Sequence, residues 1–233
     1  MRVEPLGDSA LIVRLADESS AETSLRGVLR AARHLGAAAI PGVIELAPAS
    51  TTIGVFFDPT RIEPAPDASP FDALAAKIQS VLNAAAFETE SETAARMIEV
   101  PVCYEREFAP DLSDVAAHTG LSEDEVVRRH SSAAYQVTCV GFTPGFPYLS
   151  GLPPELVTPR RGTPRTEIPP GAVAIGGTQT GIYPRKSPGG WNVIGRTPLR
   201  LFDVQREPPA LFQAGDQVRF RQISREGFDS LQG

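Results

Sequence analysis

Three arginines lie within six residues, at Arg160, Arg161 and Arg165, in a segment that also contains Gly162 and Pro164. A guanidinium carries a fixed fork of N–H donors that matches the oxygens of a carboxylate or a phosphate. Because the proline restricts the backbone, we expect the segment to hold these groups in a defined arrangement. It is therefore a candidate for binding an acidic substrate or a phosphorylated intermediate, with solvated surface charge as the alternative.

A second candidate is the loop GFTPGFPYL at residues 141–149, which directly follows a predicted strand. Two glycines, two prolines and three aromatic residues share its nine positions, so the loop should be stiff and should present aromatic faces. Such a loop suits a binding surface. The alternative is a buried corner in which the phenylalanine rings fill the end of a barrel.

The segment 176–191 holds the single tryptophan, Trp191, together with five glycines, two prolines and a run of hydroxyl and amide side chains. It offers exposed backbone N–H groups, polar side chains and an aromatic wall, which are features of a pocket lining. A series of hairpin turns is the alternative, since glycine and proline also serve turns.

His130 lies at the predicted end of a helix, where a cation is favoured, so a structural role is the default. Its imidazole could also transfer protons near neutral pH if it faced a pocket. The spacing of His34, His118 and His130 does not join them into a metal site, and we expect no metal in this chain.

Composition and missing motifs disfavour several classes of function. A net charge of -6 and a pI near 5.2 give no global positive field for nucleic acid or an anionic membrane. Residues 111–130 have the outline of a helix-turn-helix, but three acidic residues open the second helix, which disfavours DNA binding.

The sequence has no phosphate-binding loop, zincin motif or hydrolase elbow. A nucleotide site built on a known motif would therefore have to come from another chain. Two widely spaced cysteines and no apolar run of about 20 residues favour a cytoplasmic protein without a membrane partner.

The elements that position these segments fall into two architectures, because residues 141–209 hold 13 of the 22 prolines and 11 of the 20 glycines. The earlier part predicts the order β-α-β-β-α from its strand and helix periodicities. A strand at Met97–Cys103 either completes a ferredoxin-like unit or opens the next domain. We place the boundary near residue 95, in the polar stretch 88–96. After a short helix pair at about 111–131, many short strands separated by turns predict a barrel or a sandwich.

The sequence resembles a known family, the group of KipI and the 5-oxoprolinase B subunit (PxpB), also called allophanate hydrolase subunit 1 (carboxyltransferase domain, subdomain C and D type). The resemblance covers nearly the whole chain. It is carried by ordered matches at GDSAL (7–11), VPVCY (100–104), GFTPGFPYLSGL (141–152), TPRRGTPRTEIPPGAVAIGG (158–177), QTGIYPRKSPGGWNVIGRTPLRLFD (179–203) and GDQVRF (215–220).

The resemblance implies a small α+β N-terminal domain, residues 1–95, and a cyclophilin-like β-barrel domain, residues 96–233. We expect the first to have a ferredoxin-like β-α-β-β-α arrangement. The resemblance also implies partnership with a second carboxyltransferase-like subunit of 5-oxoprolinase (PxpC) and with a third subunit (PxpA). The complex would use ATP to open 5-oxoproline to L-glutamate, and this chain would be inactive alone. ATP is then the cofactor of the assembled complex, and its site could lie on another chain of the complex.

The matched loops carry the candidate site residues, although the match does not itself assign their roles. By residue chemistry, the catalytic candidates are the three arginines that could hold a substrate carboxylate or a phosphoryl group, and one proton-transfer group: Arg160, Arg165, Arg196 and His130. Candidates for walling the pocket or meeting a partner are Phe142, Pro144, Gly145, Phe146, Gln179, Tyr183, Ser187, Pro188, Gly189 and Trp191.

Three functional hypotheses follow. The leading one is the B subunit of an ATP-dependent 5-oxoprolinase. A KipI-like inhibitor that binds a sensor histidine kinase is the second. The third is a carboxyltransferase module of a urea carboxylase or allophanate hydrolase system, which ranks below the others because the sequence lacks a biotin-carrier context.

Overall fold

The structure is a computed structural model that describes residues 1–15, 21–63, 66, 68–85 and 96–232. The chain divides into two compact units, Met1–Ala94 and Ala95–Gly233. Of the polar stretch 88–96, where the sequence predicts the domain boundary, only Arg96 lies within the described residues.

The described part of the first unit contains four strands and two helices: β1 (Arg2–Pro5), β2 (Ala10–Arg14), α1 (Ala21–Ala37), β3 (Val43–Pro48), β4 (Thr52–Phe57) and α2 (Pro70–Ala85), with a 3-10 turn at Pro59–Arg61. The strands form an antiparallel sheet in the order β1-β2-β4-β3. One face of the sheet packs on the helices, and its core includes Leu11, Val13, Ile53 and Val55 with Val28, Leu35, Leu74 and Ile78.

Helix α2 begins where the sequence predicts. The Ser69 hydroxyl accepts the Asp72 N–H at 3.1 Å, and the Asp72 carboxylate accepts the Ser69 N–H at 3.1 Å. Pro70 occupies the first helical position, where its missing N–H costs no hydrogen bond. Reciprocal capping of this kind fixes the start of a helix.

The second unit holds the remaining elements: β5 (Met97–Cys103), α3 (Leu112–Thr119), α4 (Glu123–Ser132), β6 (Tyr135–Val140), β7 (Pro147–Ser150), a 3-10 turn (Pro154–Leu156), β8 (Arg165–Ile168), β9 (Ala172–Gly176), β10 (Gln179–Ile182), β11 (Ser187–Gly189), β12 (Asn192–Arg196), β13 (Gln217–Ile223) and α5 (Arg225–Ser230). Seven strands close a barrel in the order β10-β7-β6-β13-β5-β12-β9, while β8 and β11 form a separate ribbon. The predicted barrel is confirmed, and the sandwich alternative is not.

Strand β5 decides an alternative that the sequence left open. It pairs in parallel with β13 along its whole length, from Met97 opposite Gln217 to Cys103 opposite Ile223. It also meets β12, where Cys103 lies opposite Arg196. The strand therefore opens the second unit, and the first sheet takes β1 as its fourth strand.

Helices α3 and α4 pack on the barrel strands β12 and β13, respectively. Gly120 ends α3 in the left-handed region, with φ at 71°, and Ser122 caps α4 by accepting the Glu125 N–H at 3.2 Å. Arg128 and Arg129 both bond to Glu125, at 2.6 and 2.7 Å. The basic groups of the second helix are thus occupied by its own acidic turn. Within the described ranges, no helix has the length and apolar character that crossing a bilayer requires.

Candidate functional site

Five aromatic side chains, Phe142, Phe146, Tyr148, Tyr183 and Trp191, pack together in what we call the aromatic cluster. Phe146 is central, with its ring centroid 4.8 Å from that of Tyr148, 5.1 Å from that of Tyr183 and 5.7 Å from that of Trp191. The last two pairs meet edge to face, a favourable geometry for aromatic rings. The fold thus brings the loop 141–149 and the segment 176–191 to one place.

Glycines allow these rings to approach the backbone closely. A Cβ at Gly176 would lie 2.5 Å from the ring of Trp191, and one at Gly189 would lie 2.3 Å from the Tyr183 hydroxyl oxygen. Both separations are shorter than real Cβ contacts. Part of the glycine content of 176–191 is therefore explained by aromatic packing.

Arg160 places a positive charge on the aromatic cluster. Its guanidinium carbon lies 5.5 Å from the centroid of Trp191, within the range of a cation–π contact. Burial raises the pKa of the Tyr148 and Tyr183 hydroxyls, and the charge of Arg160 offsets part of that rise. Both phenols are therefore protonated at neutral pH and able to donate a hydrogen bond beside a cation.

The loop that carries Phe142 is tightly bonded and locally strained. The Gly141 N–H donates to the Phe146 carbonyl, and the Phe146 N–H donates to the Thr143 carbonyl, both at 3.0 Å. Phe142 has a φ of 66°, which costs a residue with a Cβ about 1–2 kcal/mol. Its side chain is nevertheless 60% exposed. Strained backbone is typical of binding surfaces, and an exposed aromatic ring fits that interpretation.

Arg165 and Arg196 line a cavity of about 280 Å³ instead of the aromatic cluster. The cavity is bounded by Glu107, Phe108, Pro110, Arg165, Glu167, Ile168, Pro169, Val193 and Arg196. Ile168 and Val193 also pack with Phe146, Tyr183 and Trp191 in one hydrophobic group, so the cavity adjoins the aromatic cluster through these two side chains. The structure does not bring the three predicted arginines into one common hollow.

The two cavity arginines differ in their freedom to bind an anion. Arg165 directs both terminal nitrogens to the carboxylate of Asp111, at 2.6 and 2.7 Å, so its charge is already paired. Arg196 donates its Nε–H to the Pro170 carbonyl at 2.9 Å and lies over the ring of Phe108 at 5.7 Å. These contacts orient the guanidinium of Arg196. Of the two cavity arginines, Arg196 is therefore the better candidate for binding an anionic ligand.

His130 lies inside the barrel core, in neither the cavity nor the aromatic cluster. It is fully buried, with Nδ1 2.9 Å from the Tyr104 hydroxyl and Nε2 3.1 Å from the Thr180 hydroxyl. Its ring stacks on Phe220 with centroids 4.5 Å apart. Burial lowers the pKa of the imidazole to about 3. Of the two alternatives that the sequence left open, this environment favours the structural role over proton transfer.

The other predicted binding residues surround the aromatic cluster or support it. Gly145 has a φ of 84°, and a Cβ there would lie 2.8 Å from that of Phe202. Pro144 is exposed in the same loop, and Gln179 begins β10 opposite Gly176. Ser187, Pro188 and Gly189 form β11, paired to β8.

Asp111 and Phe108 were not predicted as site residues. An aspartate at the start of a helix is usually a cap, but the Asp111 carboxylate makes no capping bond to α3. Its role depends on partners about 50 residues later in the sequence, which no local pattern reveals. Among the residues that the structure describes, no group of three or more His, Cys, Asp or Glu side chains could hold a metal ion.

Comparison with known proteins identifies the family of this chain. A family model for the carboxyltransferase domain, subdomain C and D, matches residues 1–212. The 5-oxoprolinase B subunit of Bacillus subtilis is 40% identical over 97% of this chain and 95% of that protein. The protein of the same name from Escherichia coli O157:H7 is 43% identical over 92% of this chain and 93% of its own length. The chain belongs to the family of 5-oxoprolinase B subunits.

The fold of this chain also occurs as one part of a much larger protein of known structure. The crystal structure of the Kluyveromyces lactis urea carboxylase matches 98% of this chain and 22% of that chain, with a TM-score of 0.76 and 19% identity. At that identity, the likeness concerns the fold alone.

Proposed function

We propose that this chain is the B subunit of an ATP-dependent 5-oxoprolinase, a complex that opens 5-oxoproline to L-glutamate. The observation that carries the proposal is the match, over nearly the full length of both chains, to proteins named as the B subunit of 5-oxoprolinase. The geometry adds a site of suitable chemistry, in which Arg160 lies on an aromatic wall beside two protonated phenols.

The proposed substrate is a small ring that carries a carboxylate and an amide carbonyl. Arg160 can bind the carboxylate through a charge-assisted pair of hydrogen bonds, while Trp191 and Phe142 shield the ring from water. The hydroxyl of Tyr148, which is less buried than that of Tyr183, can donate to the amide carbonyl. Arg196, in the adjoining cavity, is the second candidate for holding a carboxylate or a phosphoryl group. Arg165 supports the site from its pair with Asp111.

ATP would activate the amide by phosphorylating its carbonyl oxygen before hydrolysis. The sequence has no phosphate-binding loop, and Arg165 is already paired with a buried carboxylate. The proposal therefore assigns no ATP site to this chain and takes PxpA and PxpC as its partners in the cytoplasm. The ferredoxin-like arrangement of the first unit is also proposed, supported by its run of β2, α1, β3, β4 and α2.

Reconstitution tests the proposal. Glutamate release from 5-oxoproline and ATP should require this chain together with PxpA and PxpC, and this chain alone should release none. Arg160→Gln should lower kcat/KM about 10- to 100-fold, because it removes a charge-assisted contact. Arg185→Gln, an equal change of charge at an exposed arginine to which the proposal gives no role, should leave kcat/KM unchanged. Undiminished glutamate release from PxpA and PxpC without this chain would reject the proposal.

A further inference from the structure

The carboxylate of Asp111 is fully buried, yet it does not cap the helix that it precedes. It accepts the Val193 N–H at 2.7 Å and both terminal nitrogens of Arg165 at 2.6 and 2.7 Å. It also accepts Nη1 of Arg161 at 2.5 Å. The Asp111 backbone N–H donates in addition to the Val193 carbonyl at 3.0 Å. One buried anion therefore joins two separate segments of the barrel unit.

These two segments carry the two partners of the cation–π contact. Arg161 directly follows Arg160, and Val193 lies two residues after Trp191. Two further bonds join the same segments: the Arg161 N–H donates to the Gly190 carbonyl at 2.7 Å, and the Asn192 side-chain amide donates to the Pro159 carbonyl at 2.9 Å. The backbone on both sides of Arg160 is thus bound to the two neighbours of Trp191, to the Gly190 carbonyl and to the Asn192 side chain.

Charge makes Asp111 the essential member of this network. Arg160, Arg161 and Arg165 lie in one short segment, and like charges at such spacing repel. The buried carboxylate compensates two of them, while Asp114 reaches Arg161 only at 3.4 Å from a side chain that is 67% exposed. Without the Asp111 charge, the partly buried guanidinium of Arg165 would lose its paired anion, and Arg161 would keep only the exposed carboxylate of Asp114.

We propose that Asp111 is a positioning residue that holds Arg160 over Trp191. It acts through Arg161 and Arg165 and through the Val193 N–H, and it does not touch the substrate. Neutralising Asp111 would leave only the Arg161–Gly190 and Asn192–Pro159 bonds between the two segments. The segment that carries Arg160 would then shift, and the cation would move off the aromatic wall. The consequence for catalysis rests on the proposed function of Arg160, whereas the consequence for geometry does not.

Trp191 is the only tryptophan, so its fluorescence reports on this contact directly. Acrylamide quenching should be compared between the wild-type chain, Asp111→Asn and Arg160→Gln, with Asp114→Asn as the control. Arg160→Gln uncovers the indole and should raise the quenching constant. Asp111→Asn should raise it to the same value, while Asp114→Asn should keep the wild-type value. A wild-type quenching constant in folded Asp111→Asn would overturn the proposal.

The assembled enzyme supplies a second readout. Asp111→Asn should lower kcat/KM as much as Arg160→Gln does, and the double variant should lose no more than Arg160→Gln alone, because both changes remove the same contact. Additive losses would show that Asp111 acts elsewhere. If the wild-type complex released no glutamate, the proposed function would fail, while quenching would still decide the positioning role.

If Asp111→Asn does not fold, Arg161→Gln replaces it. This variant keeps the two bonds between Arg165 and Asp111 and removes the bonds of the Arg161 side chain to Asp111 and Asp114. It should raise the quenching constant of Trp191 by a smaller amount than Arg160→Gln. An unchanged quenching constant in Arg161→Gln would then contradict the proposal.

Discussion

At the scale of single residues, surroundings rather than residue type separate the groups that can meet a ligand from those that cannot. A protonated imidazole would be poorly solvated around His130, where Phe220 stacks on the ring and Tyr104 and Thr180 occupy both nitrogens. The nearby hydroxyls of Tyr104 and Tyr135 also have their pKa raised by burial, so neither supplies a charge there. His130 therefore stabilises the folded barrel only as a neutral ring.

This burial predicts a pH dependence of stability. The pKa of His130 is about 3 in the folded chain and about 6.5 in the unfolded chain, so the unfolded chain binds the extra proton between these values. The contribution of neutral His130 to the free energy of unfolding is fully present above about pH 6.5. It decreases as the pH is lowered, by up to about 1.4 kcal/mol per pH unit, until the folded imidazole is also protonated near pH 3. Between pH 7 and pH 5, the contribution of His130 to the free energy of unfolding should fall by about 2 kcal/mol.

Urea denaturation followed by Trp191 fluorescence measures this loss. His130→Gln cannot titrate and should lose about 2 kcal/mol less than the wild-type chain over the same change of pH. Equal losses in both chains would show that another group carries the pH dependence.

The arginines show why part of the site could not be predicted from the sequence. Arg160 and Arg165 look equivalent there, in one basic loop next to prolines. The structure separates them, because Asp111, 54 residues before Arg165, pairs with one guanidinium and leaves the other to Trp191. The aromatic and glycine-rich segments were recognisable from composition, whereas this pairing arises only from the tertiary fold.

At the scale of elements, short strands of the barrel unit, one in the barrel and one in the β8–β11 ribbon, carry glycines at the positions where aromatic rings pack on them. Gly176, the last residue of β9, lies under the ring of Trp191, which precedes β12. Gly189, in β11, lies against Tyr183. The packing of the aromatic cluster therefore depends on strand backbone that carries no side chain at these points.

Gly176→Ala should test that dependence. The added Cβ would lie 2.5 Å from the indole, so we expect the free energy of unfolding of the barrel unit to fall by about 1–3 kcal/mol, with a shifted Trp191 emission maximum. Gly162→Ala is the matched control, because its Cβ would meet no atom within 4 Å. Urea titrations of both variants measure the difference, and equal stability would contradict this account of the glycine.

Element prediction from the sequence succeeded where a periodicity or a cap was clear and failed where the pattern was short. Ser69 and Pro70 marked the start of α2, and Ser122 marked the start of α4. Strand β1 was missed because Val3 is the only large apolar residue in its four positions. The partner of β5 could not be read from the sequence, since β13 follows it by more than 100 residues.

At the scale of the whole molecule, the two units have separate hydrophobic cores. Among the described residues, the buried members of the first core come from residues 11–78, and the barrel has its own core from Val100 to Phe220. Arg96 belongs to the second unit, because it bonds to Asp216 at 2.5 Å just before β5 begins. A cut immediately before Arg96 therefore leaves the barrel and its first strand intact.

We expect fragment 96–233 to fold alone and to unfold cooperatively in urea, with a Trp191 emission maximum equal to that of the full chain. Fragment 104–233 is the control, since it lacks β5 and opens the barrel between β12 and β13. It should show no cooperative transition. A disordered fragment 96–233, by circular dichroism and fluorescence, would contradict the autonomy of this unit.

The parallel pairing of β5 with β13 also bears on how the protein is made. Synthesis produces β5 first and β13 last among the barrel strands, so one edge of β5 stays unpaired until Ile223 has been added. During that interval Val100 and Val102, fully buried in the finished barrel, have no final place to pack. The nascent chain thus carries an unpaired apolar strand edge while residues 104–223 are being synthesised, a state in which chaperones have their best opportunity to bind it.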